Sequence, residues 1–238
     1  MQGLKGNSRL VSATSNAKIL YIDCADIPGT DCYCDDEAVE AICRRIAAAG
    51  IKDAGGIHFF DNGNYHYMSK IWTDMVQEPF SLVVFDHHPD MQESAFGGGI
   101  LSCGGWVRTM LEENPMLEKV IIVGIDPSLL PETAGFGSRV VVFPEGSTVT
   151  PVKGENPLYV SIDKDAFCPA CARTNWGQGS MTLGQTEAVV RMFCEGREVL
   201  GADICGCLTI EEGGTVRDQA INATADSRLA DILAEYLK

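Results

Sequence analysis

Short apolar runs recur along the chain, and most of them end in aspartate. They are too short for helices and too continuous for strands with one exposed face, so they predict strands that are buried on both sides. The predicted strands cover residues 19–23, 56–61, 82–86, 120–126, 140–143, 158–163 and 202–208.

Helical patterns lie between these runs. Residues 36–49 have an apolar repeat that stops at Gly50, a residue that favours a helix C-terminus. Thr182 and Gln185 have the spacing of a capping box, and an apolar stripe follows them. Further helices are predicted over residues 65–75, 100–112 and 215–237. Strands alternating with helices predict one three-layer α/β/α domain over residues 1–238, with a mostly parallel central sheet.

Composition and charge narrow the class of protein. The 238 residues are 45% hydrophobic, with no apolar run of the roughly 18 residues that a membrane span needs. The polar N-terminus has no apolar signal segment, so we expect a soluble, cytoplasmic protein. A net charge of −15 disfavours nucleic acid and membrane surfaces as partners and suits a small cationic ligand or bound metal ions.

Ten cysteines are many for this length. Without a secretory signal, reduced and mostly buried thiols are the favoured interpretation. The close pairs Cys168–Cys171 and Cys205–Cys207 leave open a four-thiolate zinc site, or a redox role for the first pair.

Two acidic clusters follow predicted strands, where ligands of parallel sheets bind. Asp86, His88 and Asp90 are spaced two apart, so they point to one side of an extended backbone and His87 points away. Asp163 and Asp165 share a face by the same rule. Such clusters are costly to bury without cations, and an oxygen-rich set with imidazoles favours Mn²⁺ over zinc.

These clusters resemble the two signature motifs of the arginase–agmatinase–formiminoglutamase family, the ureohydrolases. The third metal motif of the family is a Gly-rich turn followed by a histidine, and segment 61–69, which contains His66, resembles it in position. The resemblance extends from about residue 55 to the C-terminus. It implies the arginase/deacetylase-like fold, a homo-oligomer and two Mn²⁺ per chain. One ion would be held by His66, Asp86, Asp90 and Asp163, and the other by Asp86, His88, Asp163 and Asp165.

The implied reaction is hydrolysis of a non-peptide C–N bond in a formimino, amidino or guanidino small molecule. Two adjacent cations lower the pKa of a shared water, and the resulting hydroxide attacks the polarised carbon. Asp86 and Asp163, which would bridge the ions, are thereby catalytic candidates.

The sequence departs from the family at two positions. Gly206 stands where the guanidino-hydrolases have a substrate-binding glutamate, and Ser102 or Cys103 stands where arginases have a proton-relay histidine. A planar guanidinium would lack its bidentate carboxylate partner. We therefore expect a substrate other than plain arginine, with a formimino or modified amidino compound favoured. Glu211 and Glu212 follow closely, without any sign in the sequence that either reaches the site.

Four further residues are candidates for the reaction. His58 is the remaining imidazole and would shuttle protons if it lay at the carboxyl edge of the sheet, although a structural role is the alternative. Arg173 is a candidate clamp for a substrate carboxylate, and Trp176 a candidate wall of the pocket. Gln92 matches a polar substrate contact of arginases and is a candidate hydrogen-bond donor.

Two alternative functions stay open. Histone-deacetylase-type amidohydrolases share the fold but use one zinc ion, and their tandem histidines lie upstream of the metal motif. A non-catalytic, metal-stabilised binding protein is the second alternative, favoured by the loss of the substrate glutamate and the relay histidine.

Overall fold

Seven parallel strands form the central sheet of the computed structural model, which describes residues 17–93 and 99–237. A short antiparallel pair, β2 with β5, lies apart from it. The strands are β1 (Ile19–Leu20), β2 (Tyr33–Cys34), β3 (Ile57–Phe59), β4 (Phe80–Phe85), β5 (Leu101–Ser102), β6 (Leu117–Val123), β7 (Val140–Phe143), β8 (Leu158–Asp163) and β9 (Val199–Cys205). The order across the main sheet is β1-β3-β9-β8-β4-β6-β7.

Helices cover both faces of the sheet. They are α1 (Asp36–Ala48), α2 (Met68–Thr73), α3 (Trp106–Glu113), α4 (Leu183–Cys194) and α5 (Val216–Ala234). The first three contribute to an apolar cluster on one face, and α4 and α5 contribute to a second cluster on the other. Every residue of β4 and β8 is buried, as expected for strands between two helical layers. The predicted three-layer α/β/α fold is therefore confirmed.

Local signals for helix starts are confirmed at α4 and appear again at α5. Thr182 and Gln185 form a reciprocal capping box before α4. Thr215 and Asp218 form the same arrangement before α5. In each case the cap satisfies amide groups that would otherwise lack a partner at the first turn.

Two helix predictions are corrected at their starts. The helix predicted from Ile100 begins only at Trp106, because Leu101 and Ser102 pair with β2 and the chain then turns through Gly104 and Gly105. The helix predicted over residues 65–75 is preceded by a 3₁₀ turn at Gly63–Tyr65, and regular α-helix covers Met68–Thr73. Among the helices in the described ranges, none is long and apolar enough to cross a membrane.

The strand order places a crevice at one edge of the sheet. The chain runs outward from β4 to β6 and β7, and then returns to β8 on the opposite side of β4. Strand order thus reverses between β4 and β8, and parallel sheets bind ligands beyond the carboxyl ends of strands at such a switch point. Phe85 pairs with Ile162, so the residues that follow β4 lie beside the end of β8.

Candidate metal centre

The structure brings His66 together with carboxylates from both acidic clusters. Its Nδ1 lies 3.1 Å from Asp86 Oδ2, 2.9 Å from Asp90 Oδ2 and 3.6 Å from Asp163 Oδ2. All four side chains are buried. His66 follows the 3₁₀ turn before α2, whereas Asp86 and Asp163 stand at the ends of neighbouring strands.

A second group shares Asp86 with the first. His88 Nδ1 lies 2.8 Å from Asp165 Oδ2 and 3.5 Å from Asp86 Oδ1. The ligand atoms of Asp86, His88 and Asp165 lie within 4.8 Å of one another, as do those of His66, Asp86 and Asp90. Each oxygen of Asp86 thus faces a different histidine, which is the arrangement that a bridging carboxylate needs.

Hydrogen bonds fix the orientation of His66. Ser161 Oγ donates to Asp203 Oδ1 at 2.6 Å, so it accepts from His66 Nε2, which lies 2.8 Å away. The Nε2–H tautomer that this favours would leave the Nδ1 lone pair available to a cation, whereas in the metal-free chain the carboxylates favour a proton on Nδ1. Nδ1 is buried and makes no hydrogen bond of acceptable geometry, so the donor set fits a cation at this point. Sequence reasoning missed the roles of Ser161 and Asp203.

Backbone amides and one indole hold the carboxylates. The amide of His87 donates to Asp165 Oδ1 at 2.9 Å, and Trp106 Nε1 donates to Asp90 Oδ2 at 2.6 Å. Asp90 has a φ of +50°, in the left-handed region that few residues with side chains adopt. Its carbonyl accepts the amide of Val107 at the start of α3, which stabilises this conformation.

The centre concentrates negative charge that is removed from water. Burial, with Asp165 and Asp86 as neighbours, raises the pKa of Asp163 to about 7, and burial beside Asp86 raises the pKa of Asp165 to about 6. Burial by itself would lower the pKa of His88, but Asp165 and Asp86 outweigh it and raise that pKa to about 11. The same competition raises the pKa of His66 well above its ordinary value. In the metal-free chain protons therefore compensate charge that divalent cations would neutralise.

Lys164 lies within the second motif but does not neutralise these carboxylates. Its buried Nζ donates to Asp226 and, at 2.8 Å, to Cys207 Sγ. His87, between two ligand candidates, is outside both groups, and its Nε2 lies 3.8 Å from Asp126 Oδ2.

A cavity of about 220 Å³ opens above the centre, and both Gln92 and Trp176 line it. Trp176 Nε1 donates to Asn64 Oδ1 at 2.9 Å, and its ring contacts that of His88 edge-on at a centroid distance of 5.8 Å. Glu132 also lines the cavity. It belongs to the 3₁₀ stretch after β6, and no signal in the sequence pointed to it.

Arg173 is not brought to the cavity, which corrects its prediction as a carboxylate clamp. Its Nε lies 3.3 Å from Asp218 Oδ1, and its backbone amide and carbonyl both bond to the side chain of Asn222. The loop therefore directs Arg173 toward α5, and Arg173 is absent from the cavity lining.

His58 is also placed elsewhere, which corrects its prediction as a catalytic proton shuttle. It lies within β3, stacked on Trp72 at a centroid distance of 3.7 Å, with Nδ1 3.0 Å from the hydroxyl of Tyr159. Burial lowers the pKa of His58 to about 3, so the ring is neutral at physiological pH. His58 is a core residue, the alternative that the sequence had left open.

Among the residues that the structure describes, the cysteines do not form a four-thiolate site. Cys205 Sγ donates to Asp163 Oδ2 at 3.2 Å, whereas Cys207 Sγ accepts from Lys164, so the two thiols make different contacts. Within the described ranges, neither Cys168 nor Cys171 belongs to a group of metal-ligand candidates. Cys205 does belong to one, with His66 and Asp163, and sequence reasoning missed it.

Gly206 leaves no room for a side chain at the position of the family's glutamate. Its φ is +88°, and a Cβ atom there would lie 2.2 Å from Asp163 Oδ1 and 2.8 Å from the amide of Lys164. Glu212 does not replace that carboxylate, because its Oε1 accepts from the side-chain amides of Asn62 and Asn175, outside the cavity lining.

The parallel sheet carries paired acid–histidine groups at its switch point, and these groups could hold metal ions. The model of the arginase family matches residues 6–210, and the chain belongs to that family. The resemblance inferred from the motifs is thereby confirmed.

Two relatives align with the chain over part of their length. An uncharacterised protein of Thermotoga maritima is 30% identical over 151 residues, 63% of this chain and 58% of its own length. Guanidinopropionase of Pseudomonas aeruginosa is 28% identical over 187 residues, 70% of this chain and 56% of the enzyme. The chain thus spans little more than half the length of these relatives.

Solved structures share the fold. Proclavaminate amidino hydrolase from Streptomyces clavuligerus is similar with a TM-score of 0.59 and 18% identity, over 84% of this chain and 70% of that chain. A triple mutant of the T. brucei arginase-like protein, bound with Mn²⁺, is similar with a TM-score of 0.60 and 17% identity, over 89% of this chain and 70% of that one.

Proposed function

We propose that the protein hydrolyses a non-peptide C–N bond in a small amidino, guanidino or formimino compound, with two divalent cations, Mn²⁺ in the first instance. One observation carries the proposal: two acid–histidine groups share Asp86 at the floor of a cavity large enough for a small molecule. When bound, two adjacent cations lower the pKa of water and polarise the carbon under attack. The names of guanidinopropionase and proclavaminate amidino hydrolase support this class of substrate.

The buried side chains supply the ligands and their orientation. His66, Asp86, Asp90 and Asp163 would hold one ion, and Asp86, His88, Asp163 and Asp165 the other. Ser161 sets the tautomer of His66, and the amide of His87 orients Asp165. Holding the donors in place before a cation arrives lowers the cost of reorganisation when it binds.

The cavity favours a substrate whose remote end is neutral or cationic. Neither Lys nor Arg is among its lining residues in the described parts of the chain, whereas Glu132 offers a carboxylate. Trp176 is 40% exposed and presents a flat ring beside His88, suited to a planar amidino or formimino group. Gln92 is placed to donate a hydrogen bond to the same substrate.

Metal content and turnover test the proposal together. The metal-free chain is loaded with Mn²⁺, desalted and analysed for metal, and then assayed for release of urea or ammonia from guanidines, amidines and formimino compounds. Asp86→Asn removes the shared ligand, and Asp231→Asn is the matched control because Asp231 is exposed on α5. We expect about two Mn²⁺ and turnover in the parent and in Asp231→Asn, and loss of both in Asp86→Asn. Parent-level turnover in metal-free Asp86→Asn would contradict the mechanism.

One observation favours a second candidate, a metal-stabilised binding protein. Among the described lining residues of the cavity, His66 and His88 are the imidazoles, and both face the carboxylates. Ser102 and Cys103 line the cavity at the place of the relay histidine. Ligand-induced thermal stabilisation without hydrolysis of any compound would favour this candidate. One zinc per chain with amide hydrolysis would favour the deacetylase-like alternative. A homo-oligomer and a cytoplasmic location stay predictions.

A further inference from the structure

A cysteine thiol lies inside the metal centre. Cys205 is the last residue of β9 and is fully buried, and its Sγ lies 3.2 Å from Asp163 Oδ2. Together with His66 and Asp163 it forms a third group whose ligand atoms all lie within 4.8 Å of one another. We propose that Cys205 is a metal ligand, completing the end of the centre that His66 occupies. This inference rests on the metal centre of the proposed function.

Strand pairing places the thiol there. Asp163 and Cys205 are register partners on β8 and β9, and side chains at paired positions project from the same face of a sheet. Gly206 follows at once, and its missing side chain leaves Asp163 in contact with this end of β9. The position of Cys205 beside the carboxylate is therefore built into the sheet.

A second observation points to a ligand at the same place. His66 Nδ1 is buried, has no hydrogen-bond partner of acceptable geometry, and faces Asp163 and Asp90. An imidazole nitrogen, the carboxylate of Asp163 and a sulfur thus lie within 4.8 Å of one another. A cation held there would take the Cys205 sulfur as a thiolate, and the thiol proton would be released to solvent.

The sulfur makes the two ends of the centre chemically different. Thiolate is a soft ligand that favours Zn²⁺, Co²⁺ or Fe²⁺, whereas carboxylate-rich sites suit Mn²⁺. The end formed by Asp86, His88 and Asp165 has no thiol among its grouped ligands. We therefore expect a thiophilic cation to outcompete Mn²⁺ at the Cys205 end when both are supplied, whereas Mn²⁺ supplied alone would fill both ends.

Cobalt spectroscopy tests this with a matched control. The metal-free chain is titrated with Co²⁺ without oxygen, and the near-ultraviolet sulfur-to-cobalt charge-transfer band is recorded. Cys205→Ser removes the sulfur from the centre, and Cys207→Ser removes one that contacts Lys164. We expect the band in the parent and in Cys207→Ser, its loss in Cys205→Ser, and an at least tenfold lower preference of Cys205→Ser for Zn²⁺ over Mn²⁺. An equal band in Cys205→Ser would overturn the proposal.

A second measurement uses only the parent chain, so its result does not depend on whether the variant folds. Zinc X-ray absorption of the chain loaded with one equivalent of Zn²⁺ would show a sulfur neighbour at about 2.3 Å. A shell of nitrogen and oxygen alone would overturn the assignment of Cys205. The two proposals can fail separately. A cobalt band without hydrolysis would contradict the proposed enzyme activity but support Cys205 as a ligand. Hydrolysis without the band would support the enzyme activity but contradict Cys205 as a ligand.

Discussion

Replacement of Gly206 by alanine measures how tightly the end of β9 packs against Asp163 in the candidate metal centre. The backbone φ of +88° costs a residue with a side chain about 1–2 kcal/mol. The added Cβ would also lie 2.2 Å from Asp163 Oδ1, so the carboxylate or the loop must shift, as in overpacked cores that lose about 1–3 kcal/mol. We expect Gly206→Ala to lower the free energy of unfolding by about 2–5 kcal/mol.

Gly213→Ala separates the two contributions. Gly213 has a φ of +92°, and a Cβ atom there meets nothing within 4 Å, so only the backbone cost of about 1–2 kcal/mol applies. The assay is urea unfolding of the metal-free chains, followed by Mn²⁺ titration of each folded variant. Gly206→Ala should bind Mn²⁺ at least tenfold more weakly than Gly213→Ala. Equal unfolding free energies and equal affinities in the two variants would refute the contact with Asp163.

Three further predictions concern pH, the core histidine and the cavity. Burial raises the pKa of Asp163 to about 7 and the pKa of Asp165 to about 6 in the folded chain. The protonated acids therefore stabilise the metal-free fold at a pH below the pKa values of the unfolded chain. That stabilisation is lost as the pH rises through the pKa values of the folded chain. Cations need the deprotonated carboxylates, so the Mn²⁺-induced rise in Tm should be larger at about pH 7.5 than at about pH 5.5, and an equal rise would contradict the coupling. His58→Phe should keep the ring stacked on Trp72 and lower the free energy of unfolding by about 1 kcal/mol, because the hydrogen bond to Tyr159 is lost. The variant should keep kcat within about threefold of the parent value. A far larger loss of kcat would show that His58 is a catalytic residue. Glu132→Gln should raise KM for a cationic substrate about fivefold, roughly 1 kcal/mol, and leave KM for a neutral one unchanged; equal effects on both substrates would reject a charge contact.

Local sequence patterns were enough to predict the secondary-structure elements and most of the candidate metal ligands. The apolar runs predicted the strands because burial on both faces demands uninterrupted hydrophobic residues, and the capping box at Thr182 needs only its own neighbours. The two-residue spacing around Asp86 and Asp163 could be read without knowing the sheet order, because it depends on the extended backbone alone. Starts of helices were less certain, as at Leu101, where pairing with a distant strand competes with helix formation.

Residues whose role depends on a neighbour far along the chain could not be assigned in this way. Periodicity reports which side of its own strand a residue faces, not how deep that strand lies or what it pairs with. The His58 ring stacks on Trp72 in the core, and the loop that carries Arg173 turns toward α5, neither of which the local pattern indicates. Cys205 lies beside the other candidate ligands because it pairs with Asp163 on the neighbouring strand, and this pairing cannot be read from the local sequence. The sequence by itself thus determined the parallel fold and the acidic motifs, because both follow from short-range geometry. The tertiary structure decided which side chains meet, because the order and register of the strands set those contacts.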